Sequence, residues 1–249
     1  MDEAKALERF EISKLKSQRQ TATSRKISEA VFDEKTLMAL YKLVKRKAFD
    51  ELTGIVSTGK EANVYHGLRD GLDVAVKIYK HETSDFRHMS KYVRGDPRFG
   101  DWGNRRHLVH MWAQKEYKNI MRVQDLISCP KAIDHYRNVL VMEFIGDGVV
   151  PAPKLKEKPP AEAEKYFRRI LEYVKIMYEQ RLVHADLSEY NILDFGGPVV
   201  IDFSAGVLLD HPKSLEFLRR DLQNICNFFE KHGVKTYYNR ALEEVLDAN

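Results

Sequence analysis

The sequence is poor in cysteine and in long apolar runs. Its 249 residues include two cysteines, Cys129 and Cys226, and no CxxC pair, which argues against a zinc ribbon or a disulfide framework. No apolar run approaches the roughly 20 residues that a membrane-spanning helix needs. The first residues are rich in charge, unlike the start of a secretory signal peptide. We therefore expect a cytoplasmic protein without a membrane partner.

The sequence also lacks a strong excess of one charge. There are 41 Lys and Arg against 37 Asp and Glu, a net charge of +4, which is too small by itself to indicate nucleic-acid binding, and we expect no DNA partner. Hydrophobic residues make up 43% and charged residues 31%, the profile of a globular protein. The chain is long enough for one large domain or two lobes with a packed core.

The hydrophobic periodicity changes along the chain from helical to strand-like and back. Residues 33–47 have helical spacing with Asp33 as a candidate cap, and RDG at 69–71 is a candidate hairpin turn. The other predicted elements are strands at 52–56, 62–68, 73–79 and 138–145, helices at 107–124, 161–180 and roughly 236–247, a Pro- and Lys-rich linker at 151–160, a hairpin made by NILDF and VVIDF, and a helix that ends at Gly233.

This order of elements predicts an α+β fold with a small sheet-rich lobe followed by a helical lobe. We expect a basic arm and a helix at 1–48. The first lobe is predicted at 49–150, with a hinge near 143–146, and the second lobe at 151–249.

The segment GIVSTGKE at 54–61 fits two phosphate-binding templates. It matches a Walker A loop except at Glu61, where that loop has Ser or Thr. Aligned on Val64, STGKEANV instead matches the G-x-G-x-x-G-x-V loop that covers the phosphates of ATP in protein kinases, with small residues Ser57 and Ala62 at its ends and Gly59 in the middle. An ordinary hairpin with one glycine is the third interpretation. The strand-like residues after Lys60 favour a loop between two strands.

Two further motifs support the kinase template. VAVK at 74–77 matches V-A-I-K, which places Lys77 on the phosphates, and Glu116 in the helix 107–124 is the best candidate for its acidic partner. VHADLSEYNIL at 183–193 matches H-x-D-L-x-x-x-N, in which Asp186 accepts or orients a proton and Asn191 holds magnesium. We expect His184 to orient this loop.

The literal tripeptide DFG at 194–196 is a misleading match. It begins three residues after Asn191, and DFGGP is better interpreted as the turn of a hairpin. Asp202 in VVIDFS lies eleven residues after Asn191 and is the better metal ligand. Ser204 then stands where the kinase glycine would be.

Together, STGKEANVY, VAVKIY, VHADLSEYNIL and VIDFS resemble the RIO family of atypical serine/threonine protein kinases. The segment SDFRHMSKYVRGDPRFG resembles the first RIO subfamily, and the resemblance covers about residues 30–235. It implies a two-lobed protein-kinase-like fold with a small antiparallel-sheet N-lobe and a reduced helical C-lobe. It also implies ATP and Mg2+, with Mn2+ as an alternative metal.

The resemblance assigns roles to individual residues. Asp186 would be the catalytic aspartate, and Asn191 and Asp202 would bind magnesium. Met142 would lie at the back of the adenine pocket, and backbone groups of Glu143 and Ile145 would contact the adenine edge. The full nucleotide-binding set is Ser57, Gly59, Lys60, Val64, Lys77, Glu116, Met142, Glu143 and Ile145.

No A-P-E motif follows Asp202, so the platform that binds a peptide substrate in ordinary kinases is not evident. We therefore expect ATP hydrolysis or self-phosphorylation, with Asp202 as a candidate phosphoryl acceptor. The resemblance implies a role in maturation of the small ribosomal subunit, with its RNA or proteins as partners. The alternatives are a small-molecule phosphotransferase of the aminoglycoside or choline kinase type and a non-catalytic assembly factor with a kinase fold.

Two charged segments have both a functional and a structural interpretation. In 81–107, cations and aromatic residues could bind RNA, or the segment is a solvated loop; they are Arg87, Lys91, Arg94, Arg98, Arg105, Arg106, Phe86, Tyr92, Phe99 and Trp102. The cluster Arg219–Arg220–Asp221 is either a support for the catalytic loop or a surface ion pair.

Overall fold

The computed structural model describes residues 32–81, 86–100 and 103–247. The predicted basic arm at 1–28 lies outside the described residues. The chain divides into two units, which we call the sheet unit (described residues 32–81, 104–114 and 132–144) and the helical unit (described residues 86–100, 103, 115–131 and 145–247). Each unit combines separate stretches of the chain, and the linear division at residue 150 stays a prediction.

The sheet unit contains helix α1 (Glu34–Lys45) and five strands, β1 (Glu51–Thr58), β2 (Ala62–Arg69), β3 (Leu72–Tyr79), β4 (Ala132–Tyr136) and β5 (Val139–Glu143). The strands form one antiparallel sheet in the order β1-β2-β3-β5-β4. The predicted strands and the predicted α1 are confirmed, whereas β4 was not predicted.

Two short-range signals determine how these elements begin and turn. The side chain of Asp33 accepts a hydrogen bond of 2.8 Å from the backbone N–H of Thr36, which confirms the predicted helix cap. Asp70 and Gly71 have φ values of 49° and 79°, the conformation of a type I′ turn, which matches the twist of a two-residue hairpin.

One face of the sheet packs on α1. Ala39, Leu40 and Leu43 of the helix are buried with alternate residues of the strands, among them Val76 and Val141. Because side chains alternate between the two faces of a strand, Lys77 and Met142 project from the opposite face.

The helical unit contains helices α2 (Phe86–Val93), α4 (Ala163–Glu179), α5 (Ser214–Lys231) and α6 (Tyr238–Leu246). Helix α3 (Arg105–Val123) begins in the sheet unit and continues in the helical unit from Lys115. Short strands form three antiparallel pairs, β6 (Gly146–Asp147) with β7 (Val150–Pro151), β8 (Leu182–Val183) with β11 (Val207–Leu208), and β9 (Ile192–Asp194) with β10 (Pro198–Val200). Helices α4, α5 and α6 pack on one another.

Three details of this unit bear on the predictions. The predicted linker 151–160 is packed rather than free: Leu155 is fully buried, and its N–H donates to the carbonyl of Ile192 over 2.9 Å. Gly233, with a φ of 84°, follows the end of α5, as predicted. None of the helices in the described part of the chain combines the length and apolar content of a membrane span.

Candidate active site

The loop after β1 is a tight connection between two antiparallel strands. Ser57 pairs with Val64 across it, and the N–H of Gly59 donates to the carbonyl of Ala62 over 2.9 Å. A Cβ atom on Gly59 would lie 3.0 Å from that same carbonyl oxygen, so the close approach favours glycine. A Walker A loop leads from a strand into a helix. The strand–loop–strand connection seen here excludes that architecture.

Four predicted nucleotide-binding residues of the sheet unit, Ser57, Val64, Lys77 and Met142, share one face of the sheet. Val64 pairs with Ser57 on one side and with Lys77 on the other, so the three side chains form a cross-strand row. Met142 pairs with Ala75, two residues from Lys77, and lies on the same face. Lys77 is 6% exposed, Lys60 is exposed, and Glu143 is exposed at the end of β5.

The catalytic-loop motif lies between β8 and β9 in the helical unit. The side-chain amide of Asn191 donates to the carbonyl oxygen of Asp186 over 2.8 Å and to its carboxylate over 3.1 Å. The loop thus brings the predicted catalytic residue and the predicted metal ligand into direct contact. Because Nδ2 of Asn191 is turned toward Asp186, its oxygen is the atom suited to a cation.

Asp221 on α5 holds the backbone of this loop. Its carboxylate is buried and accepts hydrogen bonds from the N–H groups of Ala185, at 2.7 Å, and Leu187, at 3.0 Å. Arg220 donates to the carbonyl of Ala185, which has a positive φ of 64°. Burial raises the pKa of Asp221 to about 8, against the opposing effect of the two backbone N–H groups and Arg220. Asp221 and Arg220 therefore support the catalytic loop rather than form a surface ion pair.

His184 and Asp202 are linked through the segment after β10. The buried His184 donates from Nε2 to the carbonyl of Ile201 over 3.1 Å, which agrees with the predicted orienting role. Asp202 adopts a left-handed backbone conformation with a φ of 62°. The hydroxyl of Ser204 donates to Oδ1 of Asp202 over 2.7 Å. The N–H of Ile201 donates to the carbonyl of Asn191, which joins the two segments that carry the predicted metal ligands.

The DFG tripeptide forms the turn between β9 and β10, as predicted. Asp194 pairs with Pro198 across the turn, and Gly196 and Gly197 take positive φ values of 67° and 157°. The carboxylate of Asp194 accepts a hydrogen bond from Tyr166 on α4.

The proposed RNA-binding segment 81–107 needs a correction at two residues. Tyr92 is 1% exposed and its ring contacts that of Phe217, so it cannot stack on a base. The guanidinium of Arg98 is bound to Asp96 and Asn119 and is not a surface cation. Residues 82–85 and 101–102, and the side chains of residues 86–88, lie outside what the structure describes.

Two predicted nucleotide-binding residues lie in the helical unit. Glu116 is buried on α3, and the carbonyl of Ile145 accepts a hydrogen bond from the N–H of Ala152. The ion pair between Lys77 and Glu116, and the adenine contacts of Met142, Glu143 and Ile145, stay predictions.

Sequence reasoning missed two polar residues on α3 that contact the Asp202 segment. Lys115 donates to the carbonyl of Ser204 over 3.0 Å, and Asn119 donates to the carbonyls of Phe203 and Gly206. Burial, followed by the charge of Arg98, lowers the pKa of Lys115 well below its ordinary value. The signal was a stripe at helical spacing in which polar residues replace apolar ones: Trp112, Lys115, Glu116, Asn119 and Val123.

The donors of this region fit magnesium. Among the described residues, no group of three or more His, Cys, Asp or Glu side chains could hold a metal. Mg2+ does not need such a group in phosphoryl transfer, because one or two protein oxygens complete its shell with phosphate oxygens and water. The amide oxygen of Asn191 and the carboxylate of Asp202 are donors of this kind.

An open groove of about 730 Å³ near the start of α4 contains none of the predicted site residues.

Comparisons with known proteins agree with these motifs. The RIO domain family model matches residues 63–242. The chain is 45% identical to the RIO-type serine/threonine-protein kinase Rio1 of Methanocaldococcus jannaschii over 227 residues, which cover 90% of this chain and 78% of that protein. It is 44% identical to the human serine/threonine-protein kinase RIO1, over 88% of this chain and 40% of the human protein.

A solved structure shares the fold. It is the complex of the Rio2 kinase from Chaetomium thermophilum with ADP/Mg2+ and phosphoaspartate, with a TM-score of 0.66 and 23% identity over 83% of this chain and 65% of that chain. At this identity the likeness concerns the fold alone. It confirms the predicted two-lobed, kinase-like α+β class.

Proposed function

The chain belongs to the RIO family of serine/threonine protein kinases, in the Rio1 subfamily, and from this premise we propose that it binds ATP with Mg2+ and both hydrolyses ATP and phosphorylates itself. The observation that carries the proposal is the pair of hydrogen bonds from Asn191 to Asp186, on a loop whose backbone is held by Asp221. This arrangement places a carboxylate beside a candidate metal ligand, as phosphoryl transfer requires.

Three side chains of the helical unit have defined chemical roles in this proposal. The carboxylate of Asp186 accepts the proton of the attacking hydroxyl or water. The oxygens of Asn191 and Asp202 hold Mg2+, which supplies positive charge to the phosphate oxygens when bound. A bond forms between the attacking oxygen and the γ-phosphorus, the bond to the bridging oxygen breaks, and ADP leaves.

The residues of the sheet unit are proposed to bind the nucleotide. Lys77 contacts the α- and β-phosphates, and Glu116 is its proposed ion-pair partner. The loop with Ser57, Gly59 and Lys60 covers the triphosphate next to Val64. Met142 lies against the adenine, whose edge contacts backbone groups of Glu143 and Ile145. The common face of Val64, Lys77 and Met142 supports this assignment.

We also propose that Asp202 is the acceptor in a partial reaction. Its carboxylate oxygen would attack the γ-phosphorus, ADP would leave, and water would later hydrolyse the acyl phosphate to aspartate and phosphate. The phosphoaspartate in the related Rio2 complex supports this idea by analogy.

The proposed setting is the cytoplasm, and the proposed partner is a precursor of the small ribosomal subunit. The buried thiols of Cys129 and Cys226 suit a reducing compartment. The ribosomal role rests on the family resemblance alone.

The proposal is tested by measuring ATP consumption with and without purified precursors of the small subunit, for the wild type and for Asp186→Ala and Asp202→Ala. We expect Mg2+-dependent turnover that both substitutions abolish. Unchanged turnover in both variants would refute the site assignment. Labelled ATP distinguishes the acceptors, since label found only on Ser or Thr rules out the aspartyl phosphate.

A further inference from the structure

We propose that Asp96, Arg98 and Asn119 form a positioning relay, which we call the turn clamp, that holds the loop carrying Asp202 in the geometry for binding Mg2+. The proposal rests on the function proposed above, in which Asp202 is a ligand. The three residues are positioning residues, because they reach Asp202 only through the turn at Phe203–Gly206.

Asn119 is the centre of the turn clamp. It is fully buried, and its Nδ2 donates to the carbonyls of Phe203, at 2.8 Å, and Gly206, at 2.9 Å. Its Oδ1 accepts a hydrogen bond of 2.6 Å from Arg98. Rotating the amide by half a turn would face its donors toward the guanidinium and its oxygen toward two carbonyl oxygens. The neighbours thus fix one orientation of the side chain.

The turn that Asn119 grips lies directly after Asp202. The N–H of Gly206 donates to the carbonyl of Phe203 over 3.1 Å, which closes the turn. A Cβ atom on Gly206 would come within 2.7 Å of Nδ2 of Asn119, so this close contact requires glycine. The turn at Phe203–Gly206 is therefore closely packed against the side-chain amide of Asn119.

The position of this turn determines where the carboxylate of Asp202 lies. A non-glycine residue with positive φ, such as Asp202 at 62°, is held in a costly conformation by its surroundings. The hydroxyl of Ser204, inside the turn, donates to Oδ1 of Asp202. A displaced turn would release both the backbone and one carboxylate oxygen.

Arg98 fixes Asn119 from the other side. Its Nε and Nη2 donate to the two carboxylate oxygens of Asp96 at 2.9 and 2.7 Å, which leaves Nη1 for Asn119. The carboxylate of Asp96 is fully buried. Burial raises its pKa, but the hydrogen bonds and charge of Arg98 outweigh burial and lower it overall. The guanidinium is therefore rigidly placed, and only an arginine has the fork for both partners.

The test is the Mg2+ dependence of nucleotide binding, measured without turnover. Asn119→Asp keeps the acceptor for Arg98 but places a second oxygen against the two carbonyls. The melting temperature with a non-hydrolysable ATP analogue is followed over a Mg2+ titration. We expect the Mg2+ midpoint to rise about tenfold or more, while binding of the analogue without metal stays as in the wild type. Arg122→Ala, an exposed position on the same helix, is the control and should keep the wild-type midpoint.

The outcomes separate this proposal from the proposed function. A wild type without any Mg2+-dependent shift overturns both. A wild type with the shift, together with an unchanged midpoint in Asn119→Asp, overturns the turn clamp alone. Arg98→Lys decides the matter if Asn119→Asp does not fold, because lysine keeps a charge for Asp96 but lacks the fork that also reaches Asn119. Its midpoint should rise as well, and a wild-type midpoint would overturn the clamp.

Discussion

The hydroxyl of Tyr166 donates a hydrogen bond of 2.5 Å to the carboxylate of Asp194. Burial, the hydrogen bond and the charge of Asp194 raise the pKa of Tyr166 to about 12, which keeps the hydroxyl protonated as a donor. The aspartate of the literal DFG tripeptide, Asp194, is thus hydrogen-bonded to Tyr166 of α4 at the end of β9. Asp202, with a different set of contacts, is the aspartate that we assign to magnesium.

Substitution of the two aspartates should therefore have unequal effects. Asp202→Asn should reduce Mg2+-dependent ATP turnover on the order of 100-fold or more, because the negative charge of the proposed metal ligand is lost. Asp194→Asn should retain most of the turnover, because an amide oxygen still accepts from Tyr166. Steady-state ATP consumption over a range of Mg2+ concentrations measures both. A greater loss in Asp194→Asn than in Asp202→Asn would reverse the assignment.

The anchoring role of Asp221 predicts a loss of stability from an isosteric change. Asp221→Asn leaves one acceptor oxygen for two buried N–H groups and turns an NH2 group toward one of them. The free energy of unfolding should fall by about 1–3 kcal/mol. Asp210→Asn breaks only an exposed ion pair with Arg181 and should cost at most about 1 kcal/mol. Denaturant unfolding at a pH above 8, where Asp221 is ionised, compares the two variants, and equal losses would show that Asp221 does not anchor the loop.

Local signals in the sequence were sufficient for much of the fold. The hairpin at Asp70–Gly71 and the cap at Asp33 depend on residues within three positions of each other, so turn chemistry and periodicity reveal them. The sequence also predicts that Asp186 and Asn191 lie together, because they are five residues apart in one motif and therefore belong to the same loop.

The parts that could not be predicted depend on distant partners. Helix α2 showed no clear period in the sequence, and its Tyr92 is buried against Phe217 of α5. Asn119 lies on a buried stripe of α3, but its role depends on the carbonyls of Phe203 and Gly206, more than 80 positions away. The apparent linker 151–160 is held by backbone contacts with β9 and buries Leu155, which its proline and lysine content conceals.

The close contact at Gly59 predicts a selective effect on nucleotide binding. Gly59→Ala adds a Cβ atom 3.0 Å from the carbonyl oxygen of Ala62, and the loop must shift to relieve the contact. We expect ATP affinity to fall about tenfold, equivalent to ~1.4 kcal/mol. Gly54→Ala on the preceding strand β1 is the matched control, since a Cβ atom there meets nothing within 4 Å. Fluorescence titration with a labelled nucleotide measures the affinity of each variant. Equal affinities in the two variants would contradict the role of the loop in nucleotide binding.

His110 predicts how the sheet unit responds to acid. Burial, and then the positive charges of His81, Arg137, His107 and Arg106, lower the pKa of His110 from 6.5 to about 4. Between these values the unfolded chain binds a proton that the folded chain does not, so stability is complete above pH 6.5 and falls as the pH drops toward 4. His110→Phe keeps a ring in this partly buried position without a titrating group. Its melting temperature should fall less steeply than that of the wild type between pH 6.5 and 4, and the two curves should run parallel above pH 7. Identical slopes across the acid range would show that protonation of His110 does not contribute to acid unfolding.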